Sequence, residues 1–242
     1  MKAMASDFDG TLYFMFKEEH YRPEDIRAIH AFQEQGGLFG ICTGRSLQGI
    51  LDVFDPVRFD FYIIASGAYV LDRDLHVLSK TCIPYELMKE IYDRYQADLK
   101  IIIHANDTVY CLQERRPLQI FVEDMEEMRQ ADLYGLSFAT GSQEEAGRIA
   151  AEVNALYGHT VTAYANVRNV DIVSGDCSKG KALEIVRKAY GITSLAGIGD
   201  SYNDIPMLQA ADVACTFPYA PQAVQDMADY VVESVAQALT HV

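Results

Sequence analysis

The chain lacks tryptophan, has few cysteines and contains no long uninterrupted hydrophobic segment. Its five cysteines are scattered along the 242 residues, and none forms the C-x-x-C spacing of zinc sites and redox motifs. This usage argues against a disulfide framework and favours a reducing, cytoplasmic compartment. No apolar run approaches the roughly 20 residues that a membrane-spanning helix needs. Asp7 and Asp9 interrupt the first apolar stretch at once, which is unlike a signal peptide.

Positive charge is also scarce. The chain has 20 lysines and arginines against 35 aspartates and glutamates, so its formal net charge is −15. Because such a chain repels nucleic acids and anionic membrane surfaces, neither is an expected partner. Half of the residues are hydrophobic, enough to bury the core of one large domain or of a domain with an insert. The sequence does not specify an oligomeric state.

Short apolar segments alternate with helix-like segments at both ends of the chain. The predicted strands are MKAMASDF, LFGICT and FDFYIIAS in the first part, and VDIV, SLAGIGD, VACTF and YVVES in the last. The predicted helices between them are PEDIRAIHAFQEQ, SLQGILDVF, KGKALEIVRKAYG and YNDIPMLQAA. This rhythm predicts an α/β fold with a largely parallel sheet.

The middle of the chain has a different pattern, in which apolar and polar residues alternate around short turns. AYVLDRDLHVLSKTCI and KIIIHANDTVYCL each resemble a pair of antiparallel strands, and TVTAYA a further strand. Helices are expected in PYELMKEIYDRYQ and QEEAGRIAAEVNALYG. We therefore predict an α+β insert at residues 79–168 within a discontinuous α/β domain of residues 1–78 and 169–242.

The segment SDFDGTL places two aspartates, Asp7 and Asp9, at the end of the first predicted strand. Open α/β sheets bind their ligands at this end of the strands. Side chains at positions i and i+2 of a strand point the same way, so two like charges would lie close together. Such a pair either shares a proton or binds a cation. The same letters also suit a plain turn, because Gly10 permits a sharp bend and Thr11 can hydrogen-bond within it.

Two further segments place a hydroxyl or an ammonium group where a loop meets a helix. ICTGRS ends a strand with Thr43, Gly44 and Arg45, and a hydroxyl with free backbone N–H groups can bind a phosphoryl oxygen. It also suits a plain helix start, with Ser46 as N-cap. SKGKAL brings Lys179 to a helix start, where it is either a surface lysine or a point charge for a phosphate or a crowded carboxylate.

The segment GIGDSYNDIPML follows another apolar strand with Asp200, Asn203 and Asp204, whose oxygens suit a hard cation. Asp200 or Asn203 could instead cap a helix. Since all four segments follow strands predicted to be parallel, one sheet edge would gather them. Ionised carboxylates crowded into one pocket need positive charge. Mg²⁺ would supply it, because it takes oxygen ligands and commonly bridges a carboxylate to a substrate phosphate.

In this order, DFDGTL, CTGRS, SKGKAL and GDSYNDIPML resemble the four motifs of the haloacid dehalogenase-like (HAD) hydrolase superfamily. The long insert between the second and third motifs resembles the α+β cap domain of the Cof-type phosphatases, subfamily IIB. The resemblance implies a Rossmann-like core with a parallel sheet and an inserted cap domain. It also implies a Mg²⁺-dependent phosphatase that acts on a small phosphorylated metabolite, such as a sugar phosphate or a phosphorylated cofactor.

The resemblance also implies roles for the motif residues. Asp7 would be the nucleophile that becomes an aspartyl-phosphate, and Asp9 the general acid and base. Mg²⁺ would bind the carboxylates of Asp7 and Asp200 and the backbone carbonyl of Asp9. The remaining roles are phosphoryl binding by Thr43, Gly44 and Lys179, and support of the metal or of Lys179 by Asn203 and Asp204.

Substrate selection would belong to the cap domain and to the loop after the third strand. Where many Cof-type relatives carry Asn-Gly-Ala, this chain has Ser66-Gly67-Ala68, so a substrate contact expected from asparagine changes. Candidate substrate residues in that loop and after the second strand are Ser66, Gly67 and Arg45. Further candidates for the cleft are His104, Asn106, Arg115, Arg116 and Arg168.

Two other functions are compatible with parts of this pattern. A phosphomutase of the phosphomannomutase type shares the cap type, but would interconvert sugar phosphates rather than release phosphate. A receiver-like phospho-acceptor, which is no enzyme, also gathers aspartates, a hydroxyl and a lysine around Mg²⁺. Asp9 argues against the receiver, because an acid and base beside the nucleophile makes an acyl phosphate short-lived, and a receiver lacks the insert.

Overall fold

The computed structural model describes all 242 residues, which form two compact units. The first unit comprises residues 1–43, 53–80 and 178–242, and the second comprises residues 44–52 and 81–177. None of the helices combines the length and the apolar character that crossing a membrane requires.

The secondary structure comprises strands, α-helices and short 3-10 turns. The strands are β1 (Lys2–Ser6), β2 (Leu38–Cys42), β3 (Phe61–Ile64), β4 (Tyr69–Asp72), β5 (Val77–Lys80), β6 (Lys100–Ala105), β7 (Thr108–Cys111), β8 (Ile120–Phe121), β9 (Leu133–Ala139), β10 (Val161–Asn166), β11 (Asn169–Ser174), β12 (Ser194–Ile198), β13 (Val213–Thr216) and β14 (Tyr230–Val231). The helices are α1 (Pro23–Glu34), α2 (Leu47–Leu51), α3 (Tyr85–Tyr95), α4 (Gln143–Tyr157), α5 (Lys179–Tyr190), α6 (Ile205–Ala210), α7 (Gln222–Gln225) and α8 (Val235–Ala238).

The first unit contains an eight-stranded sheet in the order β14-β13-β12-β1-β2-β3-β4-β5. The strands from β14 to β3 are parallel, and β4 and β5 extend the sheet as an antiparallel hairpin. Met4 of β1 pairs with Ala196 of β12 on one side and with Phe39 of β2 on the other. Because these strands are parallel and in register, their carboxyl ends lie at one edge of the sheet.

Helix α5 packs on this sheet and places its own first residue. Its buried Leu183 and Val186 belong to one core cluster with Ala3 and Ala5 of β1. Ser178 is the N-cap, and its side chain accepts a hydrogen bond from the backbone N–H of Lys181. The helix therefore begins at Lys179, as the sequence predicts.

The second unit contains a six-stranded sheet in the order β10-β11-β9-β6-β7-β8. Helices α3 and α4 pack on one face of it, where alternate residues such as Ile101, Ile103 and Phe138 form a core with Ile91 and Val153. All of its strand pairs are antiparallel except β7 with β8. The predicted hairpin in KIIIHANDTVYCL is confirmed as β6 and β7.

Strand β11 differs from the prediction, which placed VDIV in the parallel sheet. It pairs antiparallel with β9 and β10 in the second unit. Val170 and Ile172 are fully buried in the second core, whereas Asp171 between them is only partly buried. This alternation is typical of an antiparallel strand with one covered face. The second unit therefore ends at Cys177, beyond the predicted boundary at Arg168.

The segment after β2 differs as well. Helix α2 is shorter than the predicted SLQGILDVF and is grouped with the second unit. The backbone N–H of Gln48 donates to the carbonyl of Asp107, 2.9 Å away in the β6–β7 turn. Local periodicity contains no information about this long-range contact.

Candidate active site

Two loops of the first unit bring three aspartates together at the carboxyl edge of the parallel sheet. Asp7 follows β1, and its N–H donates to the carbonyl of Ile198 on β12 over 2.8 Å. Asp200 and Asp204 lie in the loop after β12. Ligand oxygens of the three carboxylates lie within 4.8 Å of one another. Asp9, two residues beyond Asp7, is exposed.

Lys179 is the positive charge buried among these carboxylates. Its Nζ lies 2.6 Å from Asp7 Oδ1 and 2.5 Å from Asp204 Oδ1. Burial alone would lower the pKa of Lys179, but the negative charges of Asp204 and Asp7 hold this pKa well above its usual value. Lys179 is therefore a permanent cation that fixes one oxygen of Asp7. Since β11 is not part of the parallel sheet, this lysine is supplied by the start of α5 and does not follow a strand of that sheet.

One ammonium group does not balance three carboxylates. Burial, and then the charge of Asp204, raise the pKa of Asp7 well above its usual value. Burial and Asp204 likewise raise the pKa of Asp200 to about 6, although a hydrogen bond from Thr11 and the charge of Lys179 oppose the rise. The site therefore favours additional positive charge, which a divalent cation would provide.

The free oxygens of the cluster fit an ion with oxygen ligands. Asp204 is already engaged: its Oδ2 accepts from the backbone N–H groups of Asp200 at 3.1 Å and Ser201 at 3.0 Å, and its Oδ1 from Lys179. Asp7 Oδ2 and Asp200 Oδ2 lie outside these hydrogen bonds. Two carboxylate oxygens thus remain for a hard cation, and Asp204 orders the loop and the lysine.

The turn after Asp9 packs directly against Asp200. Gly10 has a φ of +87°, and a Cβ atom on it would lie 2.8 Å from Asp200 Oδ2. Thr11 is buried, and its Oγ1 donates to Asp200 Oδ1 over 2.9 Å. The sequence pattern predicted that the Thr11 hydroxyl would hydrogen-bond within its own turn. In the structure this hydroxyl instead reaches Asp200 in the loop after β12. Asn203 accepts a hydrogen bond from the hydroxyl of Ser201.

Thr43 and the Ser66-Gly67 loop occupy neighbouring strand ends. Thr43 is 2% exposed, and its carbonyl accepts from the N–H of Ser66 at 2.9 Å. Ser66 and Gly67 have positive φ values of 56° and 99°. A Cβ atom on Gly67 would lie 2.4 Å from the carbonyl oxygen of Ser178, so only glycine allows this approach to the start of α5.

Gly44 and Arg45 are grouped with the second unit, unlike Thr43. Arg45 Nη1 donates to the carbonyl of Gly49 over 2.7 Å, which ties this side chain to helix α2. Two other candidates for substrate binding also have partners within the second unit. Arg115 lies over the ring of Phe121, and Arg116 forms an ion pair with Glu114.

Sequence reasoning missed several polar contacts. In the second unit, His104 Nε2 lies 2.9 Å from Ser137 Oγ, which donates to Asp171 Oδ1 over 2.6 Å. In the first unit, Thr216 Oγ1 donates to the carbonyl of Gly199 over 2.7 Å, and the hydroxyl of Tyr219 donates to the carbonyl of Gly10 over 2.6 Å. The available signal for Thr216 was a hydroxyl residue after the apolar residues of VACTF, in the position that Thr43 has in ICT.

The haloacid dehalogenase-like hydrolase family matches residues 4–239 of the chain. The chain belongs to this family. The match spans the insert as well as both parts that carry motifs, so the family assignment does not depend on the motifs alone. The predicted membership among the Cof-type HAD hydrolases is confirmed.

Individual relatives cover almost the whole chain. The 5-amino-6-(5-phospho-D-ribitylamino)uracil phosphatase YcsE of Bacillus subtilis is 22% identical, covering 100% of this chain and 95% of its own. A solved HAD-superfamily phosphatase of Bacteroides thetaiotaomicron is 26% identical, with a TM-score of 0.84 and coverage of 100% and 94%. A solved HAD subclass IIB sugar phosphatase is 22% identical, with a TM-score of 0.81 and coverage of 100% and 98%.

These similarities bear on the predicted fold and enzyme class. The fold class is confirmed as α/β, a Rossmann-like HAD core with a parallel sheet and an inserted α+β cap domain. The enzyme class, a phosphoric monoester hydrolase, is also confirmed. The residue bounds of the two domains and the roles of the individual site residues stay predictions.

Proposed function

We propose that the protein is a Mg²⁺-dependent phosphatase that hydrolyses a small phosphorylated metabolite through an aspartyl-phosphate on Asp7. The observation that carries this proposal is the environment of the Asp7 carboxylate. Lys179 holds its Oδ1 at 2.6 Å, and its second oxygen lies in a cluster that is short of positive charge. Lys179 thereby fixes the orientation of the carboxylate, and each of its oxygens keeps a lone pair for the cation or for phosphorus.

The first half-reaction transfers the phosphoryl group to Asp7. An oxygen of Asp7 forms a bond to phosphorus, the bond between phosphorus and the alcohol oxygen breaks, and Asp9 gives its proton to that oxygen. Lys179 and the Thr43 hydroxyl would hold equatorial phosphoryl oxygens, whose charge such donors stabilise in the transition state. Asp9 is exposed and lies two residues beyond Asp7, which suits proton transfer beside the nucleophile.

The second half-reaction restores Asp7. Asp9, now ionised, takes a proton from water as the water oxygen bonds to phosphorus and the bond to Asp7 breaks. Inorganic phosphate leaves, and both aspartates return to their starting states. Asp204 takes no part in the bond changes, because it is engaged with Lys179 and with the backbone of its own loop.

The proposed Mg²⁺ site consists of the carboxylates of Asp7 and Asp200 and the backbone carbonyl of Asp9. When bound, the ion would neutralise the carboxylates and stabilise negative charge on the substrate phosphate. The donor set contains oxygen only, which matches the preference of Mg²⁺ and not that of zinc or copper. Thr11 and Gly10 support this geometry, because both contact the Asp200 carboxylate.

For the substrate we propose a phosphate monoester of a sugar or of a phosphorylated cofactor or its precursor. The support comes from two relatives, one a sugar phosphatase and the other a phosphatase of a ribitylaminouracil phosphate. Both substrates carry a phosphate on a small hydroxylated skeleton.

The decisive experiment screens phosphorylated metabolites for phosphate release with and without Mg²⁺. We expect the wild-type protein to release phosphate only with the ion and Asp7→Asn to release none, although its melting temperature stays close to that of the wild type. Asp55→Asn is the matched control, because Asp55 is an exposed aspartate of the same unit. Full activity of Asp7→Asn would refute the nucleophile assignment, and interconversion of sugar phosphates without release would indicate a mutase.

A further inference from the structure

Two hydroxyl groups at and just after the end of β13 contact the loops that carry the aspartates of the candidate active site. One contacts the loop with Asp200, and the other contacts the turn after Asp9. Thr216, the last residue of β13, is fully buried and donates to the carbonyl of Gly199, which precedes Asp200. Tyr219, three residues further, donates to the carbonyl of Gly10, which follows Asp9. The Tyr219 hydrogen bond joins residues 209 positions apart in the sequence.

The ring of Tyr219 is held in place although half of the residue is exposed. It stacks on Phe217, with ring centroids 4.9 Å apart and an angle of 11° between the planes. Phe217 itself is fully buried, so the tyrosine rests on a rigid support. Partial burial, and then the charge of Asp200, raise the pKa of Tyr219 above its ordinary value against the opposing charge of Arg22. A phenol keeps its proton at neutral pH, so the Tyr219 hydroxyl is a donor.

The carbonyl that Tyr219 holds belongs to Gly10, in the turn that follows Asp9. Gly10 has a left-handed φ of +87°, and glycine has more backbone freedom than any other residue. Asp9 precedes this residue, and Thr11, which donates to Asp200, follows it. Fixing the Gly10 carbonyl therefore restricts both the direction of Asp9 and the position of the Thr11 hydroxyl.

We propose that Tyr219 is a positioning residue, whose hydrogen bond to Gly10 holds the turn that presents Asp9 to the reacting phosphoryl group. This inference rests on the proposed function, since it assigns a purpose to the orientation of Asp9. The hydroxyl touches no reacting atom. It acts through the backbone of the turn, and its loss changes the rate of the chemical steps and not the affinity for substrate.

The test compares Tyr219→Phe with the wild type and with Tyr230→Phe. Tyr230 is a suitable control because it is exposed to a similar extent, 43% against 52%, and also stacks on another ring, that of His241. The first readout is hydrogen exchange of the backbone amides in residues 8–13. We expect exchange there to be about fivefold faster in Tyr219→Phe only, which corresponds to about 1 kcal/mol for one net hydrogen bond.

The second readout is steady-state kinetics on the best substrate from the metabolite screen. We expect kcat to fall between about fivefold and 100-fold in Tyr219→Phe, with KM unchanged, because misplacement of a catalytic group acts on the transition state. A merely stabilising tyrosine would lower the melting temperature and leave kcat at its wild-type value well below that temperature.

Two results overturn the inference. Wild-type exchange rates in residues 8–13 of Tyr219→Phe would show that the hydroxyl does not restrain the turn. Faster exchange with an unchanged kcat would show that the restraint does not serve catalysis. A wild-type protein that releases phosphate from no compound refutes the proposed function instead, and the exchange rates then decide alone whether Tyr219 restrains the turn.

Discussion

The ammonium group of Lys179 lies 2.6 Å from Asp7 Oδ1, and both side chains are buried. These residues come from the start of α5 and the end of β1, 172 positions apart in the sequence. Removal of the lysine is costly because it leaves two buried carboxylates without their counter-charge, whereas removal of the Asp7 charge leaves Lys179 paired with Asp204. The pair therefore links the stability of the first unit to the proposed chemistry at Asp7.

Substitution of Lys179 by Met should damage both stability and activity. We expect the free energy of unfolding to fall by about 3 to 5 kcal/mol, because two buried carboxylates lose their counter-charge. We expect kcat to fall about 100-fold to 1000-fold, since a donor to the transition state is lost. Lys188→Met, on the exposed part of the same helix, should change neither quantity. Chemical denaturation and phosphate-release kinetics measure both effects, and a Lys179→Met protein with wild-type kcat would contradict the role.

Replacement of Gly10 by Ala should displace Asp200. The left-handed φ of +87° alone costs an L-residue about 1 to 2 kcal/mol. The new Cβ would also lie 2.8 Å from Asp200 Oδ2, which forces that carboxylate to move. Gly36→Ala is the control, because Gly36 has a φ of +85° and nothing within 4 Å of an added Cβ. Calorimetry should show weaker Mg²⁺ binding for Gly10→Ala only, and equal affinity in both variants would contradict this geometry.

Mg²⁺ should stabilise the folded protein in the absence of any substrate. A ligand that binds only the native state at 100 times its dissociation constant adds about 2.7 kcal/mol. We expect the melting temperature to rise with the concentration of Mg²⁺ in the wild type and in Asp55→Asn. Asp200→Asn should show little rise, because it removes one of the two proposed carboxylate ligands. An equal rise in Asp200→Asn would place the ion elsewhere.

The protein without divalent cations should lose stability as the pH rises from about 4 towards about 7. Burial raises the pKa of Asp200 to about 6 in the folded state from its ordinary value of 3.8, so between these values the folded state holds a proton that the unfolded state has released. Stability falls with rising pH wherever the folded state binds more protons. The raised pKa of Asp7 acts in the same direction.

Denaturation in EDTA at several pH values measures this effect. The free energy of unfolding of the wild type minus that of Asp200→Asn should decrease over the same pH range, because the variant lacks the titrating carboxyl group. A difference that is independent of pH between 4 and 7 would show that burial does not raise the Asp200 pKa in solution.

Much of the site was predictable because its chemistry is carried by local segments. Asp7, Lys179 and Asp200 each stand where an apolar segment gives way to a loop or a helix. The pairing of β1 with β12 then brings Asp7 and Asp200 together. The predicted hairpin at residues 100–111 also formed, because alternation of polar and apolar residues directly reports a sheet with one covered face.

The pattern of a strand, by contrast, does not predict which other strand it pairs with. VDIV was correctly predicted as a strand, but its antiparallel pairing with β9 depends on residues more than 30 positions away. For the same reason Lys179 reaches the cluster from the start of a helix that follows the second sheet. Such non-local contacts also explain why the second unit extends to Cys177, beyond Arg168, and why α2 is shorter than predicted.

The sequence by itself determined which chemical groups are available and near which strand ends they stand, because residue type and local periodicity are properties of short segments. Only the tertiary structure decided how those groups are used. It engages Asp204 with Lys179, directs the Thr11 hydroxyl to Asp200 and ties Gly10 to Tyr219. These hydrogen bonds depend on distances of a few ångströms between segments far apart in the chain, and such distances exist only once the sheet has formed.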